Sequence, residues 1–313
     1  PTPERFSQSP WGQPQYVDVP TEPLDAQGVE RIHNAAMKIL EEIGIDFLHD
    51  GAREILKQAG CEVRDDSPTV RMDRGLVMQE VAKAPHRIVM TPRNTERKLV
   101  FGESYAAFCQ VSSPPNVSDL DHGRRVGNRA DYQNLLRLTQ SFNCLHFVGG
   151  YPVEPVDLHP SVRHLDCLFD MLTLTDKLVH AYSLGVERVE DAMAMVRIAA
   201  GLDEAGFAEA PRMFTNINSS SPLKHDWPML DGAMRLARQN QLVIVTPFTL
   251  AGAMAPITLA GAIAQQTAEC LAAIVLLQLV RPGAPVAYGS FTSNVDMKSC
   301  LLYTSDAADE GHC

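Results

Sequence analysis

The stretch from residue 242 to residue 293 constrains the fold more than any other part of the chain. Residues 242–245, LVIV, form an unbroken apolar run that Pro247 stops, which is typical of a strand buried on both faces. Residues 259–280 are apolar on most sides, as a helix inside a protein is, and a second apolar strand begins at Val286. A strand, a crossover helix and a second strand predict parallel pairing of the two strands.

The same alternation of strand and helix runs through the chain after Phe101. We predict strands at residues 107–111, 145–149, 178–183, 213–218, 242–246 and 286–290. We predict helices between them at residues 131–141, 161–174, 189–200, 228–238 and 259–280. This order predicts an α/β fold, namely an incomplete (β/α)8 TIM-type barrel with about six strands present. A doubly wound open sheet is the competing architecture, and the absence of a GxGxxG fingerprint after the first strand disfavours it.

The residues before this alternation have a different pattern. The first 24 residues contain six prolines and predict an irregular arm. The next segment predicts a small α+β module, in which Asp25, Asp50 and Asp73 each begin a helix as its N-cap. The predicted divisions of the chain are therefore residues 1–24 for the arm, 25–100 for the α+β module, 101–299 for a truncated barrel and 300–313 for a tail.

The charge and the cysteines disfavour some classes of function. A formal net charge of -11 gives nucleic acid and anionic membranes no electrostatic attraction, so we expect neither as a partner. The uninterrupted apolar part of the long helix, residues 270–277, is far shorter than the roughly 20 residues that a bilayer requires. No CxxC motif occurs among the cysteines, which predicts reduced thiols in a cytoplasmic protein. The sequence leaves open whether the protein forms a homo-oligomer.

Polar and aromatic side chains follow the predicted strands. The carboxyl ends of the strands of a barrel meet at one face, so these side chains are the candidates for a substrate site. They are Tyr151, His180, Tyr182, Asn216, Asn218, Phe248, Tyr288, Ser290 and Phe291. The set has no carboxylate pair, and the chain has no HExxH motif or histidine spacing suited to a metal. We therefore predict no metal site and assign no catalytic residue.

Aromatic rings without counter-charges suit a quaternary ammonium, because such a cation donates no hydrogen bond. Each ring contributes about 0.5–2 kcal/mol through its quadrupole. Asn216 and Asn218 lie on one face of a predicted strand and could hold a carboxylate such as that of glycine betaine. Plainer interpretations stay open: the rings close the top of a barrel, the asparagines satisfy loop backbone groups, and His180 is a hydrogen-bonded core histidine.

Three segments carry a resemblance to a known family. They are TPFTLAGAMAPITLAGAIAQQTAECLAAIVLLQLVRPGAPVAYGS at residues 246–290, GYPVEPVDLHPSVRHLD at 150–166 and NINSSSPLKHD at 216–226. With them the sequence resembles the trimethylamine methyltransferase family over residues 24–299, and it is similar to members of the glycine betaine type that lack pyrrolysine. The resemblance implies methyl transfer from a quaternary or tertiary methylated amine to the Co(I) of a corrinoid on a partner protein, with no cofactor bound directly.

The implied chemistry makes few demands on acid–base groups. A quaternary ammonium that gives a methyl group to Co(I) leaves as a neutral amine, so no general acid is required and positioning is the main catalytic contribution. Two other functions remain open at this point. A barrel transferase or lyase could bind a phosphorylated small molecule at Ser219, Ser220 and Ser221. A non-catalytic module could bind betaine-like solutes.

The sequence of the tail indicates a different origin from that of the rest of the chain. Residues 300–310, CLLYTSDAADE, resemble a sequencing adapter translated in one reading frame, so we expect residues 300–313 to be non-native. A barrel closes only when all its strands pair, and strands at both edges of a truncated barrel keep unpaired backbone groups. We therefore expect the 313-residue chain, expressed as it is, to be an inactive and poorly folded fragment.

Overall fold

The computed structural model describes residues 7–294 of the 313-residue chain. The predicted non-native tail at residues 300–313 lies outside the described residues. The described chain contains both helices and strands, and the strands of its central sheet are parallel, so the protein is an α/β protein, as the sequence predicts.

Three α-helices and five strands come first in the described part of the chain, which starts at residue 7. The helices are α1 (Ala26–Lys38), which continues as a π-helical turn at Ile39–Ile43, α2 (Asp50–Gln58) and α3 (Arg74–Val81). The strands are β1 (Ile45–Phe47), β2 (Glu62–Val63), β3 (Thr69–Arg71), β4 (Arg87–Met90) and β5 (Leu99–Gly102). Asp25 and Asp73 cap α1 and α3 as predicted, since each carboxylate accepts a backbone N–H of the first turn. The prediction for Asp50 is wrong by one residue, because the His49 imidazole accepts the N–H of Ala52.

The rest of the described chain, up to residue 294, holds six α-helices and nine strands. The helices are α4 (Arg129–Ser141), α5 (Arg163–Leu174), α6 (Val186–Ala200), α7 (Glu204–Ala208), α8 (Trp227–Arg238) and α9 (Leu259–Val280). The strands are β6 (Asn116–Asp119), β7 (Gly123–Val126), β8 (Val179–His180), β9 (Met213–Ile217), β10 (Lys224–His225), β11 (Leu242–Val245), β12 (Phe248–Ala251), β13 (Val286–Tyr288) and β14 (Phe291–Asn294). All five predicted helices are confirmed, and the bounds of α9 coincide with the prediction.

The central sheet is parallel and follows the chain order. Strands β8, β9, β11 and β13 are hydrogen-bonded neighbours in the order in which they occur in the sequence. Parallel bridges from Phe147 to Leu178 and from Cys109 to Phe147 extend this order by two more segments. The six segments predicted as strands after Phe101 therefore lie side by side in sequence order.

The first two of these segments are not regular strands, which corrects the predictions at residues 107–111 and 145–149. Side chains take the backbone groups that a ladder would use: the Phe108 N–H donates to His146 Nδ1 at 2.9 Å. The amide of Gln110 likewise binds the backbone of Gly149 and Gly150, with N···O distances of 3.4 and 3.1 Å. Local side-chain bonds of this kind compete with sheet formation, so only single bridges remain.

Strands continue past the predicted ends at two places. Pro247 interrupts the strand that starts at Leu242, but β12 resumes it and pairs in parallel with β14. The pairs Val243–Val286 and Phe248–Phe291 have the same separation in sequence, so the register carries across the interruption. The sheet edge therefore extends beyond the point where Thr246 was predicted to end it.

Helix α9 packs against elements from both parts of the chain. It contacts α1, α2, α3 and α8, and its residues from Ala262 to Gln278 are mostly buried. It is the one helix between residues 7 and 294 that is long and apolar enough to cross a bilayer, but 78% of its most apolar window is buried inside the protein. Strand β1 also pairs in parallel with β10, at Asp46 and Lys224. The predicted α+β module thus shares one core with the parallel sheet.

Candidate functional site

A cavity of about 190 Å³ lies at the carboxyl ends of the first four segments of the parallel sheet. We call it the strand-end pocket. Its polar lining consists of Ser112, Ser113, His180, Tyr182, Ser183, Asn216 and Asn218. Four of the predicted site residues therefore meet here, because the ends of neighbouring parallel strands lie at the same edge of a sheet.

Tyr182 is fixed in the wall of this pocket by hydrogen bonds and by ring contacts. Its hydroxyl group is hydrogen-bonded to the Ser113 hydroxyl and accepts the N–H of Tyr151 at 3.1 Å. Its ring meets the rings of Tyr151 and His180 edge to face, with centroids 4.8 and 4.6 Å apart. Gly150, at φ 148°, permits this approach, since a Cβ there would lie 2.7 Å from the Tyr182 hydroxyl oxygen. Three rings thus form one rigid aromatic corner.

His180 is a buried neutral base in the same corner. Its residue surface is 3% exposed, and its Nδ1 is buried without a hydrogen-bond partner within the described part of the chain. Burial lowers the pKa of its imidazole to about 3, because desolvation penalises the charged form. The interpretation of His180 as a hydrogen-bonded core histidine does not match this geometry. His146 does match it, with ring nitrogens bonded to Phe108 N–H and to Gly12 O.

Asn216 and Asn218 are exposed and face the strand-end pocket. Neither side-chain amide forms a hydrogen bond with any residue between 7 and 294. The backbone N–H of Asn218 points instead at Met229 Sδ, at 3.3 Å. The two amides are therefore free to bind a ligand, and they do not satisfy loop backbone groups.

The structure places the five other predicted residues outside this pocket. Phe248 and Phe291 stack on each other across β12 and β14, with centroids 4.8 Å apart and an interplanar angle of 18°. An ammonium group cannot enter between rings at stacking distance. Tyr288 lies on the side of the sheet that faces α9, where its hydroxyl group bonds with Gln266 and Thr267. Ser290 is exposed between β13 and β14 and lines neither cavity described here.

A second cavity, of about 380 Å³, lies between α5 and α6. We call it the helix cavity. It contains Tyr151, the ninth predicted site residue, and it shares His180, Tyr182 and Leu184 with the strand-end pocket. The aromatic corner is therefore the partition between the two cavities. The sequence analysis did not predict the helix cavity. The i, i+4, i+7 spacing of its lining residues along both helices is a signal that could have indicated it.

The serine run at residues 219–221 is held by a buried carboxylate. The hydroxyl groups of Ser219 and Ser221 both donate to Glu269 Oε2, and the second of these O···O distances is 2.7 Å. Leu223 N–H and Gln265 Nε2 donate to Oε1 of the same group, at 2.7 and 2.9 Å. Glu269 is 0% exposed. This arrangement contradicts a phosphate site at the serine run, because a second anion there would be repelled.

The described part of the chain contains no cluster of three or more His, Cys, Asp or Glu side chains that could hold a metal ion. His164 Nε2 instead lies 2.9 Å from Asp191 Oδ2, and His159 Nδ1 lies 2.7 Å from the Ser161 hydroxyl. The candidate site is thus built from neutral side chains: aromatic rings, amides, hydroxyl groups and an uncharged imidazole.

Comparison with known proteins agrees with this class of site. The fold and the site define an α/β protein with a neutral, aromatic pocket at the ends of its parallel strands. A family model described as trimethylamine methyltransferase (MTTB) matches residues 2–304. The chain belongs to this family.

Three curated relatives show how far the similarity extends. The chain is 35% identical over 294 residues to the glycine betaine methyltransferase of Desulfitobacterium hafniense strain Y51, covering 91% of this chain and 61% of the relative. It is 30% identical over 271 residues to the trimethylamine methyltransferase MttB of D. hafniense strain DSM 10664 / DCB-2, covering 86% and 54%. It is 28% identical over 283 residues to the proline betaine:corrinoid methyltransferase of Eubacterium limosum, covering 88% and 58%. The chain spans between half and two thirds of the length of these relatives.

Proposed function

We propose that the whole protein transfers a methyl group from a quaternary or tertiary methylated amine, such as glycine betaine, to the Co(I) of a corrinoid carried by a partner protein. The observation that carries this proposal is membership of the trimethylamine methyltransferase family, together with 35% identity to a relative named glycine betaine methyltransferase. The strand-end pocket is the site that we propose for the amine.

The lining of the strand-end pocket supports this substrate class. The ring of Tyr182 offers a π face to a methylated ammonium, at about 0.5–2 kcal/mol. The free amides of Asn216 and Asn218 offer four N–H donors to a carboxylate at the other end of a betaine. A neutral His180 adds no positive charge that would oppose the ammonium.

The chemistry that we propose for these residues is positioning. Co(I) of the partner protein is the acceptor and supplies the nucleophile. The side chains of this chain hold the amine with one methyl group towards the pocket mouth and keep water away from it. Because the amine departs neutral from a quaternary substrate, the missing acid at the strand ends is no obstacle. Orientation alone can supply several kcal/mol of rate acceleration, up to roughly 7–11 kcal/mol in well-aligned cases.

We also propose that the parallel array is the six-stranded part of a (β/α)8 barrel. In support, the six segments neighbour each other in sequence order, whereas a doubly wound sheet reverses its order at a switch point. The proposed working compartment is the cytoplasm. In support, the five cysteines between residues 7 and 294 are all free thiols.

The alternative functions have less support. The carboxylate of Glu269 beside Ser219 and Ser221 disfavours a phosphorylated substrate at the serine run. A non-catalytic solute-binding module would suit the pocket equally well, but the relatives are named as methyltransferases. Turnover therefore decides between an enzyme and a binding module.

The experiment incubates full-length protein with glycine betaine and a corrinoid protein reduced to Co(I), and follows the cobalt absorption spectrum. We expect conversion to methylated cobalt with at least one of a panel of methylated amines. No conversion with any amine, by protein that binds one of them, would establish the binding-module alternative instead.

A substitution links the activity to the pocket. Combining Asn216→Ala with Asn218→Ala is expected to weaken glycine betaine binding about tenfold, since hydrogen bonds to a charged group contribute about 1.5–3 kcal/mol. Binding of tetramethylammonium, which has no carboxylate, is expected to stay the same. Asn134→Ala, at an exposed position of α4, is the matched control. Equal losses for both ligands would contradict the assigned role of the amides.

A further inference from the structure

The helix cavity has the size and the polarity of a separate ligand site. At about 380 Å³ it is twice as large as the strand-end pocket and lies within the range of small-molecule sites, roughly 300–1,000 Å³. The aromatic corner of His180 and Tyr182 separates it from that pocket. Its other walls are the facing sides of α5 and α6.

The two helices line the cavity with the same pattern. Helix α5 contributes His164, Leu168 and Met171, and α6 contributes Arg188, Ala192 and Met195. Both sets have the spacing i, i+4, i+7, which places three side chains on one helix face. In each helix the first is basic and lies in the first turn, and the other two are apolar. The cavity therefore has a basic mouth and an apolar floor that ends in two methionines.

One guanidinium at the mouth has no partner within the described residues. Arg163 pairs with Glu154, with an Nη1···Oε2 distance of 3.5 Å, and His164 pairs with Asp191 at 2.9 Å. Glu154 and Asp191 thus each contact a residue other than Arg188. Arg188 lines the cavity and forms no ion pair or hydrogen bond with any residue in the described range 7–294. A half-buried guanidinium without a partner favours an anion at this place.

Two further features point the same way. Helix α6 begins at the mouth without a side-chain cap, so its first-turn N–H groups and the positive end of its dipole face this region. His180, only 3% exposed, lines the inner wall and has a ring without a hydrogen bond within the described structure. The neutral His180 imidazole therefore has one N–H donor and one ring-nitrogen acceptor available for a ligand.

We propose that the helix cavity binds an apolar molecule with a single anionic head group, and that this site is distinct from the strand-end pocket. The head group pairs with Arg188 at the mouth. The apolar body lies along Leu168 and Ala192 and reaches the methionines, whose flexible thioethers adapt to apolar groups of different shape. The head group can be a carboxylate or a phosphate monoester, which share this chemistry. A methylated ammonium is disfavoured here, because the unpaired guanidinium repels it.

The test is calorimetric titration of the purified protein with four probes that share one chain length. They are octanoate, octyl phosphate, octylammonium and octanol, each below its micellar range. We expect octanoate or octyl phosphate to bind at one site, and the tighter of the two identifies the natural head group. Octanol should bind more weakly, and octylammonium should not bind. Equal binding of octylammonium and octanoate would overturn the proposal.

Substitutions locate the site. Arg188→Gln is expected to weaken the binding of the anionic probes about tenfold or more. The affinity for octanol should not change. Arg238→Gln, an exposed arginine of α8, is the matched control. Ala192→Phe is expected to prevent the binding of all four probes, because the ring fills the middle of the cavity. If the larger side chain prevents folding, Ala192→Leu is the replacement variant. Binding that survives both Arg188→Gln and the Ala192 variant would overturn the proposal.

Competition separates this proposal from the proposed methyl transfer. Glycine betaine should not displace octanoate, and the Asn216→Ala and Asn218→Ala pair should leave octanoate binding intact. Displacement by glycine betaine would show that the two cavities form one site and would contradict the inference. Octanoate binding itself does not depend on turnover, so either proposal can fail without the other.

Discussion

The two cavities differ in charge although they share an aromatic partition. The strand-end pocket is lined by neutral amides, hydroxyl groups and rings, whereas the helix cavity has an unpaired arginine over an apolar floor. The difference follows from the elements that build them. Strand ends supply short polar side chains at a sheet edge, while two helix starts supply long basic side chains and, at α6, the positive end of a dipole. The same partition thus separates a place suited to a cation from a place suited to an anion.

The largest expected effect comes from the partition itself. Because burial lowers the pKa of His180 to about 3, the folded state resists a proton that the unfolded chain takes up below about pH 6.5. The free energy of unfolding should therefore fall as the pH drops from about 6.5 towards 3, by up to about 4–5 kcal/mol from this group. Chemical denaturation at a series of pH values measures it.

The control for this prediction is a pair of variants. His180→Gln should flatten the pH dependence of stability over that window, and His86→Gln, at an exposed histidine, should leave it unchanged. If the free energy of unfolding had the same pH dependence in the wild type and in His180→Gln, the imidazole would be solvated and the partition between the cavities would be open.

A smaller loss of stability is expected on substitution of Glu269, which holds the serine run that follows Asn218. Glu269→Gln places an NH₂ group among four donors, so at least one of them loses its acceptor inside the core. We expect a loss of about 3 kcal/mol of stability and weaker glycine betaine binding, because the loop that carries Asn218 is released. Octanoate binding in the helix cavity should persist.

Thermal melting and calorimetry check this prediction, with Glu209→Gln at an exposed position as the control. If Glu269→Gln lowered the affinities for octanoate and for glycine betaine by the same factor, Glu269 would stabilise both cavities. The contrast between the two cavities would then weaken.

The smallest effect is expected at Tyr288, which lines neither cavity. Tyr288→Phe removes the hydrogen bonds to Gln266 and Thr267 and should cost about 0.5–1 kcal/mol of stability. Affinities for glycine betaine and for octanoate should not change. A change in either affinity would return Tyr288 to the site that the sequence predicted for it.

Much of the fold was predictable because it depends on local pattern. The bounds of α9 follow from an apolar segment with a threonine cap and a proline-rich end, and these signals lie within a few residues of the helix termini. The polar set at Asn216, Asn218, His180 and Tyr182 was predictable too, since parallel strands bring their carboxyl ends together. The site as a whole was less predictable: Phe248 and Phe291 stack on each other, and Tyr288 faces α9.

The alternation of strand and helix, the family and the neutral character of the strand ends follow from the amino-acid sequence, because periodicity and residue type are properties of short segments. Which side chains have a partner depends on tertiary packing. Arg163 and Arg188 are equally basic in the sequence, yet Glu154 pairs with one and no described acid forms an ion pair with the other. Partners that are distant in sequence become neighbours only through packing, so the free guanidinium and the buried Glu269 carboxylate could not be read from spacing alone.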